Sequence, residues 1–343
     1  MPETPTPQDC SAPFFLVGCS RSGTTLLQAL IDAHPNIAIP PESHVYLRFG
    51  PIVHTYGDLA VQRKRLRFIR ALLSDIFIEE WRLEITVADI EQRLQEPTFL
   101  GIVETLFRFY AERHGARRWG DKTPEHIRYL REIRRDFPGA RLIHLVRDGR
   151  DVAEAMQRMI FYPVTAYGVA RVWRDEIRHW QAFCATEGEA NTLVVRYEDL
   201  VTEPRETVAS IFRFLGEPVV DTVATYSESS LSRNLDAQGP WHSSLRKGIS
   251  ASKVGIYRRR FTPREIEILE YIQGDDLRAY GYPTVHAAPR APTPAEKIYA
   301  LFADRLVRWY RKLHDPRVFV HDLQYRWRIA YRSMRGGLRK PTG

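Results

Sequence analysis

Cysteine is scarce in this chain: three in 343 residues, at positions 10, 19 and 184. An odd number spaced this widely excludes both a disulfide framework and a CxxC metal centre, and a reducing compartment is expected. No run of 18 apolar residues occurs, which excludes a helical membrane span by pattern. The opening "MPETPTPQDCSAP" has neither the basic stretch nor the apolar stretch of a secretory signal, so the expectation is a cytoplasmic protein, with peripheral membrane contact possible. The first 300 residues carry no excess of either charge, with 39 basic and 39 acidic side chains. The formal +8 lies wholly in Leu301 to Gly343, where eleven Lys and Arg stand against three Asp. That stretch has helical spacing and no nucleic-acid reader motif, so no nucleic-acid partner is expected.

What is present describes a soluble globular chain, 44% hydrophobic and 27% charged. Its length suits one large α/β domain with an appendage. Residues 1–13 read as a flexible leader, 14–281 as the main domain and 282–295, rich in proline and alanine, as a linker. Residues 296–335 read as a basic helical extension and 336–343 as a flexible tail. In the extension Tyr299, Phe302, Leu306, Trp309, Tyr310 and Leu313 recur at helical spacing among Arg305, Arg308, Arg311 and Lys312. Such a helix packs on its own domain or a second subunit, or lies on an anionic membrane surface.

The most informative absence is a lysine. "FFLVGCSRSGTTLLQALIDAHP" runs from a short buried strand, Phe14 to Val17, through a glycine-bounded turn into a helix with Leu26, Leu27, Leu30 and Ile31 on one face. Gly18 to Gly23 has the spacing of a phosphate-binding loop, but Thr24 stands where an ATP-binding loop carries Lys. Glycines let the backbone wrap an anion and the first N–H groups of the helix point at it. The plainer reading is an ordinary βα turn, with Ser22 or Thr24 capping the helix. Two further strand-to-helix units follow, with strands at Leu142–Val146 and Leu193–Arg196 and a helix from about Pro204 to Leu215. Segments 59–80 and 99–114 have helical spacing, whereas "PNIAIPPESHVY" reads as loop. Alternating strands and helices predict a P-loop-like three-layer α/β fold with a central parallel sheet.

Four motifs in order, "GCSRSGTTLL", "LVRDGRDVAEAM", "VRYEDLV" and "KVGIYRRRFTPREI", resemble the sulfotransferases that use 3′-phosphoadenosine 5′-phosphosulfate (PAPS), over about residues 14 to 272. The resemblance implies transfer of a sulfuryl group to a hydroxyl, less readily an amine, on a small-molecule, carbohydrate or lipid acceptor, without a metal. It makes Arg21, Ser22, Gly23, Thr24 and Thr25 the 5′-phosphosulfate loop and Arg147 the 3′-phosphate ligand, with Ser252, Lys253 and Gly255 in the last cofactor-proximal segment. A sulfuryl group in transit bears less negative charge than a phosphoryl group, which accounts for the missing lysine. For Arg147 the plainer reading is a surface pair with Asp148 or Asp151.

The spacing of Glu42 after the loop is similar to that of the catalytic glutamate in tyrosylprotein and other Golgi-type sulfotransferases. Glu42 is therefore the expected base, accepting the acceptor proton while Arg21 and the loop neutralise the sulfonate in an in-line displacement. His44 is the rival base; His34 is expected only to help close the first helix. Lys122 matches a slot that stabilises transferred charge; otherwise it faces water while Asp121 or Thr123 caps a helix starting at Pro124. The chain departs from the family at Ala155, where a phosphate-binding serine is usual. Ser250, Ser252 or Lys253 could replace it, and "RKG" at 246–248 lies early for the usual register. "MIFYPVTAYGVARVWRDEIRHW" is expected on the acceptor side, with Phe161, Tyr162, Tyr167 and Trp173 available, although aromatics at helical spacing are commonly core. Two other readings remain open at this point: a P-loop kinase using ATP, and an inactive nucleotide-binding scaffold of the same fold.

Overall fold

The computed structural model describes residues 12–159, 162–228 and 248–314. Residues 1–11 of the leader, Phe161, "RK" of the RKG stretch, the extension beyond 314 and the tail lie outside the described residues. The chain runs β1 (Phe14–Gly18), α1 (Thr24–Asp32), β2 (Ile37–Ala38), α2 (Val45–Arg48), a 3-10 turn at Gly50–Tyr56, α3 (Gln62–Leu73), α4 (Ile76–Glu79), α5 (Val87–Arg93) and α6 (Phe99–Arg113). It continues as β3 (Arg118–Lys122), a 3-10 turn at Pro124–Tyr129, α7 (Leu130–Asp136), β4 (Arg141–Val146), α8 (Gly149–Gln157), α9 (Ala166–Glu187) and β5 (Thr192–Arg196). After α10 (Tyr197–Thr202) and α11 (Pro204–Leu215) come α12 (Tyr257–Arg260), α13 (Pro263–Ala279) and α14 (Pro294–His314).

The five strands are all parallel, in the order β2-β3-β1-β4-β5, as the alternation predicts. Successive residues of β1 point to opposite faces, so Phe14 and Leu16 join Leu27, Leu30, Ile143, Ile211 and Phe212 on one side. Phe15 and Val17 join Phe107, Trp119 and Phe137 on the other. A third cluster, built round Val146, Trp173, Tyr257 and Leu269, packs α8, α9, α12 and α13 together.

Two strands escape the apolar-run rule. The loop reading of "PNIAIPPESHVY" is corrected by the edge strand Ile37–Ala38. "RWGDK", which looks polar, is β3, an inner strand between β2 and β1, and is buried at every position. Its charged groups go inward because partners await them. Arg118 donates to Glu217 at 2.8 Å, Asp121 accepts from Ser43 and Thr123, and Lys122 meets Glu42. The helical segment 59–80 divides where Asp75 caps α4, its side chain accepting from the Phe77 N–H.

The proline-rich segment after α13 has no regular structure, yet it is strapped down. The Glu270 carboxylate accepts from the Val285 and His286 N–H groups at 2.8 and 2.9 Å, and Glu267 from the Arg290 N–H at 2.9 Å.

Candidate functional site

Because β3 and β4 flank β1 in parallel, the residues that follow all three strands meet at one edge of the sheet. In register, Lys122 lies opposite Leu16 and Leu145 opposite Gly18. This carboxyl edge is where open α/β sheets bind ligands.

The loop after β1 closes with Ser22 N–H donating to the Cys19 carbonyl at 3.1 Å. Gly23 begins α1 at φ +101°, and a Cβ there would lie 2.5 Å from the Tyr197 ring, so the position needs glycine in conformation and in space. The capping alternative is corrected: no side chain caps α1, and the Ser22 hydroxyl is fully buried without a partner among the described residues. The first turn of α1 also carries no acidic residue. Thr24 is buried and Thr25 half-buried. Arg21 sits at φ +72°, a strained conformation for a residue with a side chain, and its Nε is buried with no partner among the described residues.

Arg147 is 5% exposed and makes no surface pair with Asp148 or Asp151. Asp148 is taken by Arg150 at 2.7 Å, and Asp151 accepts the N–H groups of Gly255 and Tyr257 at 2.7 and 3.0 Å. The Arg147 guanidinium instead lies 4.4 Å over the Tyr197 ring and donates to the carbonyls of Arg21, at 3.3 Å, and Lys253, at 2.9 Å. Its Nε has no partner among the described residues. Trp173, on α9, is completely buried and holds the Arg147 carbonyl at 3.1 Å; it is core that positions Arg147 rather than acceptor lining.

Arg158, which no sequence motif singled out, adds to this group. Burial lowers the Lys253 pKa, and repulsion from Arg147, Arg158 and Arg21 lowers it further. Burial likewise lowers Arg21, with Arg147 and Arg158 pushing the same way against Tyr162 and Glu42. Arg158 is paired with Glu154 one turn earlier, whereas no ion pair among the described residues takes Arg21, Arg147 or Lys253, and cations held together in this way favour an anion. Ala155 lies one turn before Arg158 on the same helical stretch and is half-buried. Of the proposed substitutes for the family serine, Ser250 and Ser252 bond each other at 3.0 Å and are exposed, which leaves Lys253; the neighbouring Gly255 N–H is occupied by Asp151.

The second half of the site surrounds Glu42. Lys122, 2% exposed, reaches the Glu42 carboxylate, which corrects the water-facing alternative; Thr123 makes no side-chain cap. His44 Nε2 lies 3.2 Å from the other Glu42 oxygen. Burial alone would raise the Glu42 pKa, but Lys122 and His44 outweigh it and hold the carboxyl well below the usual range. Burial would lower His44, yet the hydrogen bond and charge of Glu42, with Glu125 and Asp121 behind it, raise it above its ordinary value. His34 helps close α1, its N–H donating to the Ile31 carbonyl at 3.0 Å while its Nδ1 accepts from the Asn36 N–H at 3.1 Å.

Asp121 fixes this arrangement from below. Fully buried, it accepts from the Ser43 hydroxyl at 3.1 Å and the Thr123 hydroxyl at 3.0 Å, and lies 2.7 Å from His126 Nδ1. Thr123 in turn accepts the Ser43 and His44 N–H groups at 3.1 and 3.4 Å, which clamps the loop carrying Glu42 to the end of β3. Glu125, also missed from sequence, accepts from the Ser20 hydroxyl at 2.8 Å. Donor atoms of Glu42, His44 and Glu125 lie within 4.8 Å of one another, a spacing that could also hold a metal ion.

The sequence profile described as "Sulfotransferase family" matches residues 13–221. Protein-tyrosine sulfotransferase 2 of Gallus gallus is 26% identical over 222 residues, covering 62% of this chain and 53% of that protein. Protein-tyrosine sulfotransferase 1 of Danio rerio is 27% identical over 239 residues, covering 65% and 61%. The chain thus spans about half to three fifths of the length of these curated relatives. Among solved structures, the sulfotransferase domain of the Synechococcus PCC 7002 olefin synthase superposes with a TM-score of 0.53 at 24% identity, covering 80% of this chain and 96% of that one. This likeness concerns the fold.

Proposed function

The chain belongs to the sulfotransferase family, and from that premise we propose that it moves a sulfuryl group from PAPS to a hydroxyl of a small-molecule, carbohydrate or lipid acceptor, an amine being less suited. The observation that carries the reading is the gathering of Arg21, Arg147 and Lys253 at the loop before α1, where the Arg147 guanidinium donates to the carbonyls of Arg21 and Lys253 and Arg158 adds its charge. No lysine stands at position 24, so the site lacks the residue that a kinase places on its nucleotide phosphates.

The residues fit a bisphosphorylated nucleotide. The unpartnered Nε atoms of Arg21 and Arg147 and the buried Ser22 hydroxyl are donors without acceptors among the described residues, and no side chain caps the α1 N–H groups after the Gly23 turn. Ser22, Gly23, Thr24 and Thr25 with Arg21 would hold the 5′ side, and Arg147, steadied by Tyr197 and Trp173, the 3′-phosphate. Arg158 and Lys253 supply charge where Ala155 lacks a hydroxyl; Ser252 and Gly255 shape the adjoining turn. When bound, PAPS supplies the sulfuryl group and leaves as adenosine 3′,5′-bisphosphate.

Glu42 is the proposed base. While Lys122 neutralises it, the carboxylate is a weak proton acceptor, because its pKa is held low. A sulfonate near Lys122 competes for that ammonium, and drawing Lys122 away raises the basicity of Glu42 as charge develops. Lys122 would thereby serve both ends of one displacement. The test is release of adenosine 3′,5′-bisphosphate from PAPS over a panel of hydroxyl acceptors; binding of the bisphosphate with no turnover on any of them would favour the inactive scaffold.

A further inference from the structure

Helix α14 is attached to the domain by a narrow strip. Ala300 is 2% exposed, and the Asp304 carboxylate accepts from the Val164 and Thr165 N–H groups at 2.8 and 3.0 Å and from the Thr165 hydroxyl at 2.9 Å. Gly168 leaves the space that Asp304 needs, since a Cβ there would collide with its carboxylate. Away from this strip, Ile298, Tyr299, Leu301, Phe302, Leu306 and Trp309 are 50–68% exposed. At 100° per residue they cover about half of the helix circumference. Six large apolar side chains in solvent on one helix are far from the scattered exposure usual on a surface.

We infer that this face of α14 rests on an anionic lipid surface. Charge decides between occupants. All of the chain's net positive charge lies from Leu301 onward, and Lys297 and Arg305 on α14 are exposed. A second copy would bring two such basic helices together, and residues 315–343, with seven Lys and Arg against two Asp, would also add like charge. An anionic bilayer complements the charge and takes up the aromatic and aliphatic side chains without a matching groove, which a single exposed helix does not provide.

The placement also bears on the acceptor. The turn that Asp304 holds lies two residues beyond Tyr162, whose hydroxyl bonds Ser20 and lies in the field of Glu125 and Glu42. The lipid-facing helix therefore stands beside the proposed acceptor side, an arrangement suited to an acceptor carried at a membrane. That consequence rests on the proposed activity; the lipid contact does not.

The test is co-sedimentation of the full chain with phosphatidylcholine vesicles with and without phosphatidylglycerol, at low and high salt, with size-exclusion mass measurement in parallel. Binding is expected only with phosphatidylglycerol, weakening as salt rises. The double variant Phe302→Ser, Trp309→Ser should lower the partition coefficient about tenfold or more, and Lys297→Glu with Arg305→Glu should lower it by a similar factor. Unchanged melting temperature and bisphosphate binding in these variants would show that the domain remains folded. Equal binding to both vesicle types, no binding to either, or a dimer that the Phe302→Ser, Trp309→Ser variant dissolves would overturn the inference.

Discussion

Lys122 at the end of β3 reaches across to Glu42, eighty residues earlier in the chain, and the two form a buried-to-half-buried ion pair. If Glu42 is the base, Glu42→Gln should reduce turnover by about two to four orders of magnitude while leaving bisphosphate affinity unchanged. The pH profile separates the two candidate bases. Glu42 is held low and is already ionised in mild acid, so it contributes no rise in kcat/KM between about pH 5 and 7. His44, whose pKa is raised, would give a rate that climbs with pH through and above that range. A climb that vanishes in His44→Asn would transfer the role to histidine.

Removal of divalent ions should leave the rate unchanged. Lys122 and His44 already neutralise Glu42, so a cation bound among Glu42, His44 and Glu125 would have to draw Glu42 away from Lys122 and find His44 unprotonated. Turnover after exhaustive treatment with EDTA checks this; loss of activity that zinc or magnesium restores would make the cluster a metal centre.

Gly23→Ala should weaken bisphosphate binding more than it lowers stability. The left-handed conformation costs a residue with a side chain about 1–3 kcal/mol, and relief of the clash moves Tyr197, the ring beneath Arg147. Comparing melting temperature and affinity in the same variant tests the coupling, which an unaltered affinity would refute.

Asp151 should make the fold less stable as acid is neutralised. Burial, aided by Asp148, pushes its carboxyl up to about 6, above the usual value of 3.8, against the opposing N–H groups of Tyr257 and Gly255 and the charge of Arg147. The folded state then binds the proton more tightly than the unfolded chain, so stability falls as pH rises from about 4 to about 6, by an amount on the order of 2–3 kcal/mol. Urea unfolding of the wild type and Asp151→Asn should show their difference changing in this window and constant above it. A parallel course at all pH values would contradict the raised pKa.

The sequence revealed most of the α/β frame, because β1, β4 and β5 are bounded apolar runs followed by amphipathic helices. It concealed β3 because an apolar-run rule cannot recognise a strand whose Arg118, Asp121 and Lys122 are each matched by partners distant in sequence. Arg21 and Arg147 were legible from their places after strands. Arg158 and Glu125 were not: each looks like one more surface charge until α8 and the turn after β3 bring it to the site. The Asp121 clamp on Ser43 and Thr123 likewise depends on a contact between segments about eighty residues apart. The helical period in α14 was plain, but period alone did not say which face would be docked.

The most direct measurement is calorimetric titration of adenosine 3′,5′-bisphosphate into the wild type and Arg147→Ala, without added metal. Arg147 is buried, has no carboxylate partner among the described residues and offers charge-assisted hydrogen bonds, so its loss should weaken binding about tenfold to a hundredfold or more. Wild-type binding of the bisphosphate, reduced by that factor in the variant, is the predicted result. Binding of Mg-ATP with none of the bisphosphate would contradict the account and return the glycine loop to a kinase reading.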